Sequence, residues 1–568
     1  MSPPRHKRRS KGESNKMPVK IIPKTPSAYA YPLLIKQLLH TPLATSPDQE
    51  ITYQGKIRHT YRTLRERIGC LANGLASLGV EAGSTVAMMD WDSHRYLECF
   101  FAVPMMGAVL QTVNVRLSAE QILYTLNHAA ADVLLINREF FPILASIAPR
   151  LQSVRAFVLI DDEAQASSAS PVAFASEYEA LLAASSADYD FPDFDENAQA
   201  TVFYTTGTTG APKGVYFSHR QLVLHTLGVA TCVGAASANG RLHREDVYMP
   251  ITPMFHVHAW GFPYVATLLG VKQVYPGRYL PGSLLQLIRD EKVTFSHCVP
   301  SIMQMLLSHP NSDEFDLSGW KVLIGGSAMS PALAEATMKR GIDALTGYGM
   351  SETCPVVTIA HMRASDIDSA ASAQAALRCK TGLPLPLVDL RIVDEAMRDV
   401  PRDGVAVGEL VLRTPWLTQG YLGSAPESEA LWAGAYLHTQ DIANIDARGF
   451  VKITDRIKDV IKTAGEWTSS LQLEDVVLKH EAVAEVAVIG LPDEKWGERP
   501  LALVVLKPEY AGRVTEHAVR HFAAHLVEET GISRHGVLLQ VRFVDALAKT
   551  SVGKINKREM RDKFTALS

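Results

Sequence analysis

A β-branched and aromatic run, residues 200–204, breaks into Thr205-Thr206-Gly207-Thr208-Thr209-Gly210-Ala211-Pro212-Lys213-Gly214, and a helical apolar pattern follows after Ser218 and Gln221. No other stretch limits the fold as much, because strand, glycine-rich loop and helix in that order form the setting of a phosphate site in an α/β sheet. Gly207, Gly210 and Gly214 can take backbone conformations closed to other residues, so successive N–H groups can converge on one anion. Thr205, Thr206, Thr208 and Thr209 add hydroxyl donors, and Lys213 adds a mobile positive charge. Lys213 is followed by Gly214 rather than Ser or Thr, and the glycine spacing departs from the Walker pattern, which disfavours a kinase or P-loop hydrolase. The bland alternative is a Gly/Thr-rich surface turn.

The rest of the chain repeats the α/β texture. Apolar positions recur at helical spacing through Leu64, Ile68, Leu71, Leu75 and Leu78, and short apolar strands at 85–89 and 132–136 alternate with helical segments. The apolar run 99–113 is too short to span a membrane and reads as a buried helix followed by a strand. Strand-like runs at 293–296 and 321–324 each lead into a turn and a helix. The second turn, Gly325-Gly326-Ser327, lets a flat ring lie against backbone, and Ser330-Pro331 caps the helix behind it. Segments 163–187 and 364–376, rich in Ala and Ser, read as surface excursions without chemistry. After about residue 456 the texture changes to a small α+β unit, with strands at 483–489, 501–506 and 541–544 and a helix at 516–527.

A chain of 568 residues exceeds one compact core, so at least two domains are expected. The net charge of -4 gives no sign of a nucleic-acid partner, and selectivity must come from a site. Six cysteines without CxxC spacing indicate neither a disulfide framework nor a zinc knuckle, and a reducing cytoplasm is the expected setting. The basic N-terminus lacks the apolar centre of a secretory signal and reads as a disordered tail, with Met17 an alternative start and a transit peptide the weaker option.

Four further segments carry polar chemistry. Thr346-Gly347-Tyr348-Gly349-Met350-Ser351-Glu352 combines an aromatic face, flexible backbone and one carboxylate; magnesium prefers few carboxylates together with phosphate oxygens and water. Asp441 can accept both hydroxyls of a ribose. Residues 455–462 run into Gly465-Glu466-Trp467, and Lys549-Thr550-Ser551-Val552-Gly553-Lys554-Ile555 sets Lys554 on a glycine-flanked loop near the C-terminus.

With these motifs in order, the chain from about residue 30 to 565 resembles the adenylate-forming superfamily of acyl-CoA synthetases, nonribosomal adenylation domains and luciferases. Pro253-Met254-Phe255-His256-Val257-His258-Ala259-Trp260-Gly261 and Gly465-Glu466-Trp467 are most similar to the medium-chain fatty acyl-CoA ligase and methylmercaptopropionate-CoA ligase branch. The resemblance implies an α/β fold: a large N-terminal domain of parallel-sheet subdomains plus a distorted β-barrel, with a small mobile α+β C-terminal domain. The boundaries it implies are a basic tail at 1–24, an adenylation domain at 25–456, a hinge at 457–459 and a mobile domain at 460–568.

Residue by residue, the resemblance makes 205–213 the triphosphate loop, with Thr205 and Glu352 assisting Mg2+. Gly325, Ser327, Gly347 and Tyr348 surround adenine, with Gly349 and Ser351 in the same nucleotide-binding segment. Asp441 and Arg456 hold the ribose, Lys458 is the hinge residue, and Lys554 is the catalytic lysine between carboxylate and α-phosphate. His256 and Trp260 shape the acyl pocket and its gate, His256 counting with Lys554 and Glu352 as catalytic. Lys462, Gly465, Glu466 and Trp467 serve CoA after the small domain rotates.

The implied activity is an acid:CoA ligase that uses ATP, Mg2+ and CoA on a medium-chain or similar small apolar acid. It implies no nucleic acid and no stable membrane insertion, and it admits a homodimer. An enzyme that loads a carrier protein is the rival reading, and a silent nucleotide-binding scaffold the other. The sequence departs from the family at Gln440, where glycine usually precedes the aspartate, and at Ala548, where proline is common. Thr206 and Ser351 exchange one hydroxyl residue for another, and Thr468 replaces the branch's usual isoleucine.

Overall fold

The computed structural model describes residues 19–162, 170–205, 211–463, 466–530, 538–549 and 555–565. Residues 19–32, the described part of a first unit, hold no helix or strand, turn once where Ala28 N donates to Thr25 O, and expose Val19, Ile21 and Ile22. The tail expected to be disordered, 1–24, falls mostly outside the described residues.

Two large sheets make the body of the second unit, residues 33–568. The seven-stranded sheet runs Ser176–Glu177, Ala156–Ile160, Val133–Asn137, Thr85–Met89, Val109–Thr112, Gln199–Thr205, Lys213–Ser218, parallel throughout except for the last pair. Thr85–Met89 and Val133–Asn137 are buried along their whole length, as continuous apolar runs covered on both faces must be. The nine-stranded sheet holds a parallel block in the order Asp343–Gly349, Lys321–Ile324, Phe295–Cys298, Val247–Pro250, Lys272–Tyr275, Glu50–Tyr53. Antiparallel strands flank it on both sides.

The local signals work as their chemistry suggests. Thr60 caps the helix Tyr61–Ser77 by accepting from Thr63 N, and Ser330 caps Pro331–Lys339 by accepting from Leu333 N. The run 99–113 divides into the helix His94–Met105 and the strand Val109–Thr112. The Ala/Ser-rich segments carry more structure than expected. Tyr178–Ala183 is a helix whose Tyr178 is fully buried, and Glu179 bonds both Arg67 and Arg95. In Ala371–Arg378, Arg378 donates to Asp343 Oδ1 at 2.6 Å.

A five-stranded antiparallel sheet, Asp389–Val393, Gly408–Arg413, Tyr436–Ile445, Trp432–Ala433 and Val451–Arg456, stands where the resemblance implies a distorted barrel; its pairings among the described residues form an open path. The last part of the chain is a five-stranded sheet with the helices Ser470–Val477, Glu516–Thr530 and Lys557–Thr565 and its own apolar core around Ile461, Leu473, Val488, Val504 and Val519. Among the described residues no helix is long and apolar enough to cross a membrane.

Candidate active site

The glycine-threonine loop joins two strands, not a strand to a helix. Gln199–Thr205 pairs antiparallel with Lys213–Ser218, and Thr205 stands opposite Lys213 at the loop end of this hairpin. Thr206, Gly207, Thr208, Thr209 and Gly210, which form the loop, lie outside the described residues. The helix expected directly after the loop, His219–Gly234, starts at the far end of the returning strand, closed by the expected capping box of Ser218 and Gln221. Its N-terminus is therefore removed from the loop by the length of a strand.

Lys213 Nζ lies 3.1 Å from Glu427 Oε1 and 4.8 Å from the centre of the Tyr421 ring. Tyr421 OH donates to Glu352 Oε1 at 2.7 Å. Burial, and then the Glu352 carboxylate, push the Tyr421 phenol above its usual range, so it remains a proton donor. Glu352 is buried, and among the described residues its second oxygen has no hydrogen-bond partner, which suits one hard cation. Tyr421 was not legible in the sequence. It reaches the hairpin because Leu422 N donates to Gly214 O at 2.8 Å, a pairing more than two hundred residues apart in the chain.

A cleft nearby is built on neighbouring parallel strands. Lys321–Ile324 delivers Gly325 and Gly326, and Asp343–Gly349 delivers Gly347, Tyr348 and Gly349, to this cleft, which His256, Trp260 and Ser351 also line. Ser327 is exposed beside it and is not among the lining residues. Tyr348 OH donates to Asp441 Oδ2 at 2.5 Å, and Arg456 Nε donates to Asp441 Oδ1 at 3.2 Å across the strand pair that sets these two residues opposite each other. Gln440, where the family usually has glycine, holds φ at +60°. A side chain in that left-handed region costs about 1 kcal/mol.

Gly325 permits a close approach that no other residue allows. A Cβ there would stand 2.8 Å from Gly347 O and 3.0 Å from the Trp260 ring. Gly325→Ala is expected to raise the KM for whatever substrate occupies this cleft by about tenfold or more without unfolding the chain, the misplacement being of the size that costs such factors. Steady-state kinetics beside a melting curve checks this.

His256 and Trp260 are joined by an unusual turn. Val257, His258, Ala259, Trp260 and Gly261 have φ of 47°, 54°, 47°, 58° and 76°, one turn of left-handed helix. Four side-chain-bearing residues in this region store about 4 kcal/mol or more of strain. The turn puts His256 and Trp260 on the wall of this cleft and equally on the wall of a second pocket, lined also by Thr252, Tyr279, Val299 and Arg116. His258 points the other way, among Phe100, Phe203, Phe217 and Tyr264. Burial pushes its imidazole down to about 3.

The remaining expected site residues lie beyond the Asp441–Arg456 pair. Lys458 stands in the fields of Arg456, Asp459 and Asp441; desolvation, then Arg456, hold its ammonium below the usual range. Lys462 is exposed on the strand Ile461–Thr463 and lines neither cavity. Glu466 and Trp467 continue the adjoining strand Glu466–Thr468, and their side chains, Gly465 and Lys554 lie outside the described residues. Elsewhere His59, His94 and Glu98 converge within 4.8 Å, but both Glu98 oxygens are engaged by Arg67 and Tyr178, which makes the cluster part of an ion-pair network.

Known proteins match this arrangement over its length. The sequence profile of the AMP-binding enzymes covers residues 39–422, and that of the AMP-binding enzyme C-terminal domain covers 472–554. A long-chain-fatty-acid–CoA ligase of Thermus thermophilus is 40% identical over 510 residues, 89% of this chain and 90% of its own. A 3-methylmercaptopropionyl-CoA ligase of Ruegeria pomeroyi is 36% identical over 544 residues, 94% of this chain and 97% of its own. Among solved structures, the anthranilate CoA ligase AuaEII in complex with anthranoyl-AMP superposes with a TM-score of 0.81 at 23% identity, covering 95% of this chain and 99% of that one, a likeness of fold. A profile that spans well over half of the sequence, over a cleft of this construction, places the chain in the family of AMP-binding enzymes.

Proposed function

We infer that the protein is an AMP-forming acid:CoA ligase, and we propose that its acids are medium-chain fatty acids or similar small apolar carboxylates. One observation carries the reading. The short segment from Tyr348 to Glu352 runs along the cleft, bonded at one end to the carboxylate of Asp441 and at the other, through Tyr421, to the surroundings of Lys213. A nucleotide laid along it has its ribose hydroxyls at Asp441 and its phosphates at the hairpin.

In the first step a carboxylate oxygen attacks the α-phosphorus and pyrophosphate leaves. Two anions repel, so the step depends on positive charge and donors aimed at the transition state. Lys213 and the loop hydroxyls hold the leaving pyrophosphate, where Glu427 is only a half-exposed partner that phosphate oxygens displace. Lys554 bridges carboxylate and α-phosphate. Thr205 and the free oxygen of Glu352 are the residues that would hold Mg2+, whose charge offsets that of the phosphates. Gly325, Gly347, Gly349 and Ser351 enclose the base, and Arg456 steadies Asp441. In the second step the CoA sulfur attacks the acyl carbonyl, the thiol proton is lost, and AMP leaves with the former carboxylate oxygen. The cavity behind His256 and Trp260 is the approach for that thiol, with the shared wall as its gate. The segment 457–459, around Lys458, is the pivot that brings Lys462, Gly465, Glu466 and Trp467 to CoA.

The relatives' names extend from long-chain acids to methylmercaptopropionate, and the walls of the cleft are apolar on the Val257, Trp260, Leu323 and Val356 side. A panel of acids from propionate to palmitate plus benzoate, assayed by AMP release with CoA, tests the choice; the expected maximum lies at medium chain length. Adenylate without a CoA thioester would instead identify a carrier-loading enzyme. A reducing cytoplasm is the setting we propose, supported by six free cysteines, and sedimentation tests whether the chain forms a homodimer there.

A further inference from the structure

The strand Val451–Arg456 faces two ways at its end. Adjacent side chains leave opposite faces of a strand. Arg456 turns to Asp441, while Asp455, 2% exposed, turns to the first turn of the helix Ser470–Val477. Asp455 Oδ2 accepts from Ser470 N at 2.5 Å and from Ser470 Oγ at 2.8 Å. Ser470 Oγ in turn accepts from Lys557 Nζ at 2.7 Å, and Lys557 Nζ lies 2.6 Å from Glu474 Oε1, which also accepts from Val488 N. Ser469 Oγ donates to Thr454 O at 2.5 Å beside them.

These groups are buried, and three of them are charged. Burying a charge costs several kcal/mol even when it is paired, and an apolar cluster would be at least as stable, so such a network earns its place by fixing one arrangement rather than by adding stability. Burial pushes the Asp455 and Glu474 carboxyls up against the opposing pull of Lys557. The network also divides unevenly. Lys557, Glu474, Ser470 and Val488 all follow residue 459, whereas Thr454 and Asp455 precede 457. Any rotation about 457–459 keeps the first set together and breaks the bonds to Asp455 and Thr454. A carboxylate released in this way regains water, which makes the contact reversible.

We propose that the Asp455–Ser470 contact is a releasable tie across the pivot, and that Asp455 and Ser470 are positioning residues that set the balance between adenylation and thioester formation. This rests on the acid:CoA ligase reading. The placement of Asp455 beside Arg456 couples the tie to the nucleotide: the strand end that holds the ribose carboxylate on one face holds the small domain on the other. Lys557, three residues beyond Lys554, links the same tie to the C-terminal segment.

The test uses the full chain with Asp455→Asn, which keeps the shape and removes the charge, and Ser470→Ala. Two rates are measured for each: acid-dependent ATP–pyrophosphate exchange, and thioester formation from preformed acyl-adenylate and CoA. The ratio of the two is expected to move threefold or more from the parent value, in the same direction in both variants. A general loss of stability would lower both rates together, and a ratio that stays within threefold overturns the proposal whatever happens to the total rate. Hydrogen exchange supplies the second readout. Amides of residues 469–473 are expected to exchange at least tenfold faster in the variants, while the strands Val483–Asp493 and Gly497–Leu506 keep their protection. A parent chain that makes no acyl-CoA refutes the ligase reading instead, and exchange alone then decides on the tie, parent-like rates at 469–473 overturning it.

Discussion

Lys554→Ala is expected to lower acid-dependent ATP–pyrophosphate exchange by about 10²–10³-fold, the loss that follows removal of one donor aimed at transition-state charge. Its defining signature is selectivity between half-reactions. Thioester formation from supplied acyl-adenylate and CoA needs no charge at the α-phosphate and should stay within a few-fold of the parent. Lys213→Ala behaves differently: it removes phosphate binding that ground state and transition state share, so it raises the KM for ATP more than it lowers kcat. If Lys554→Ala exchanges pyrophosphate at the parent rate, the catalytic assignment is wrong and the charge must come from elsewhere.

The second large effect is acid lability. Burial pushes the imidazoles of His219, His225, His258 and His297 down to about 3. Between pH 6.5 and about 3 the unfolded chain binds a proton at each of them that the folded chain does not, so stability is complete above pH 6.5 and falls as the pH is lowered, by about 1.4 kcal/mol per pH unit for each group. Asp92, pushed up to about 7 by burial, takes up a proton in the folded state and opposes one of them, and Asp90 is shifted in the same sense. Across these six groups the balance is about 3–4 kcal/mol per pH unit, or about 5 kcal/mol between pH 6.5 and 5, with His59 and His361 adding to it and the raised Asp455, Asp475 and Glu474 opposing it. A fall in Tm of about 10 °C from pH 7 to pH 5 is the expected reading. His258→Leu should flatten it, because both ring nitrogens of His258 lack a hydrogen-bond partner among the described residues and a leucine leaves nothing unpaired. A Tm at pH 5 equal to or above that at pH 7 contradicts the argument.

Much of the frame was legible in the sequence because it rests on local rules. The strand Thr85–Met89, the helix-strand division of residues 99–113, and the caps at Ser218 and Ser330 follow from apolar runs and capping chemistry that act within a few residues. Errors arose where distant chain decides. Lys213–Ser218 is too short to announce itself ahead of a strong helix cap, so the hairpin read as strand, loop and helix; only pairing with Gln199–Thr205 makes it a strand. Tyr421 has no neighbouring motif and becomes part of the site through Gly214 and Glu352. The left-handed turn at 257–260 contradicts the preferences of Val, His, Ala and Trp alike, and it is held by tertiary packing that includes the aromatic rings around His258. The tie at Asp455 needs three segments at once.

The central claim is that the carboxylate itself attacks the α-phosphate of ATP. Octanoate labelled with ¹⁸O in both carboxyl oxygens tests it most directly, in a reaction with ATP and CoA followed by mass analysis of the products. The expected products are AMP carrying one ¹⁸O, unlabelled pyrophosphate and an equal amount of octanoyl-CoA. Label in inorganic phosphate, with ADP in place of AMP, would mean an acyl-phosphate route and would contradict it.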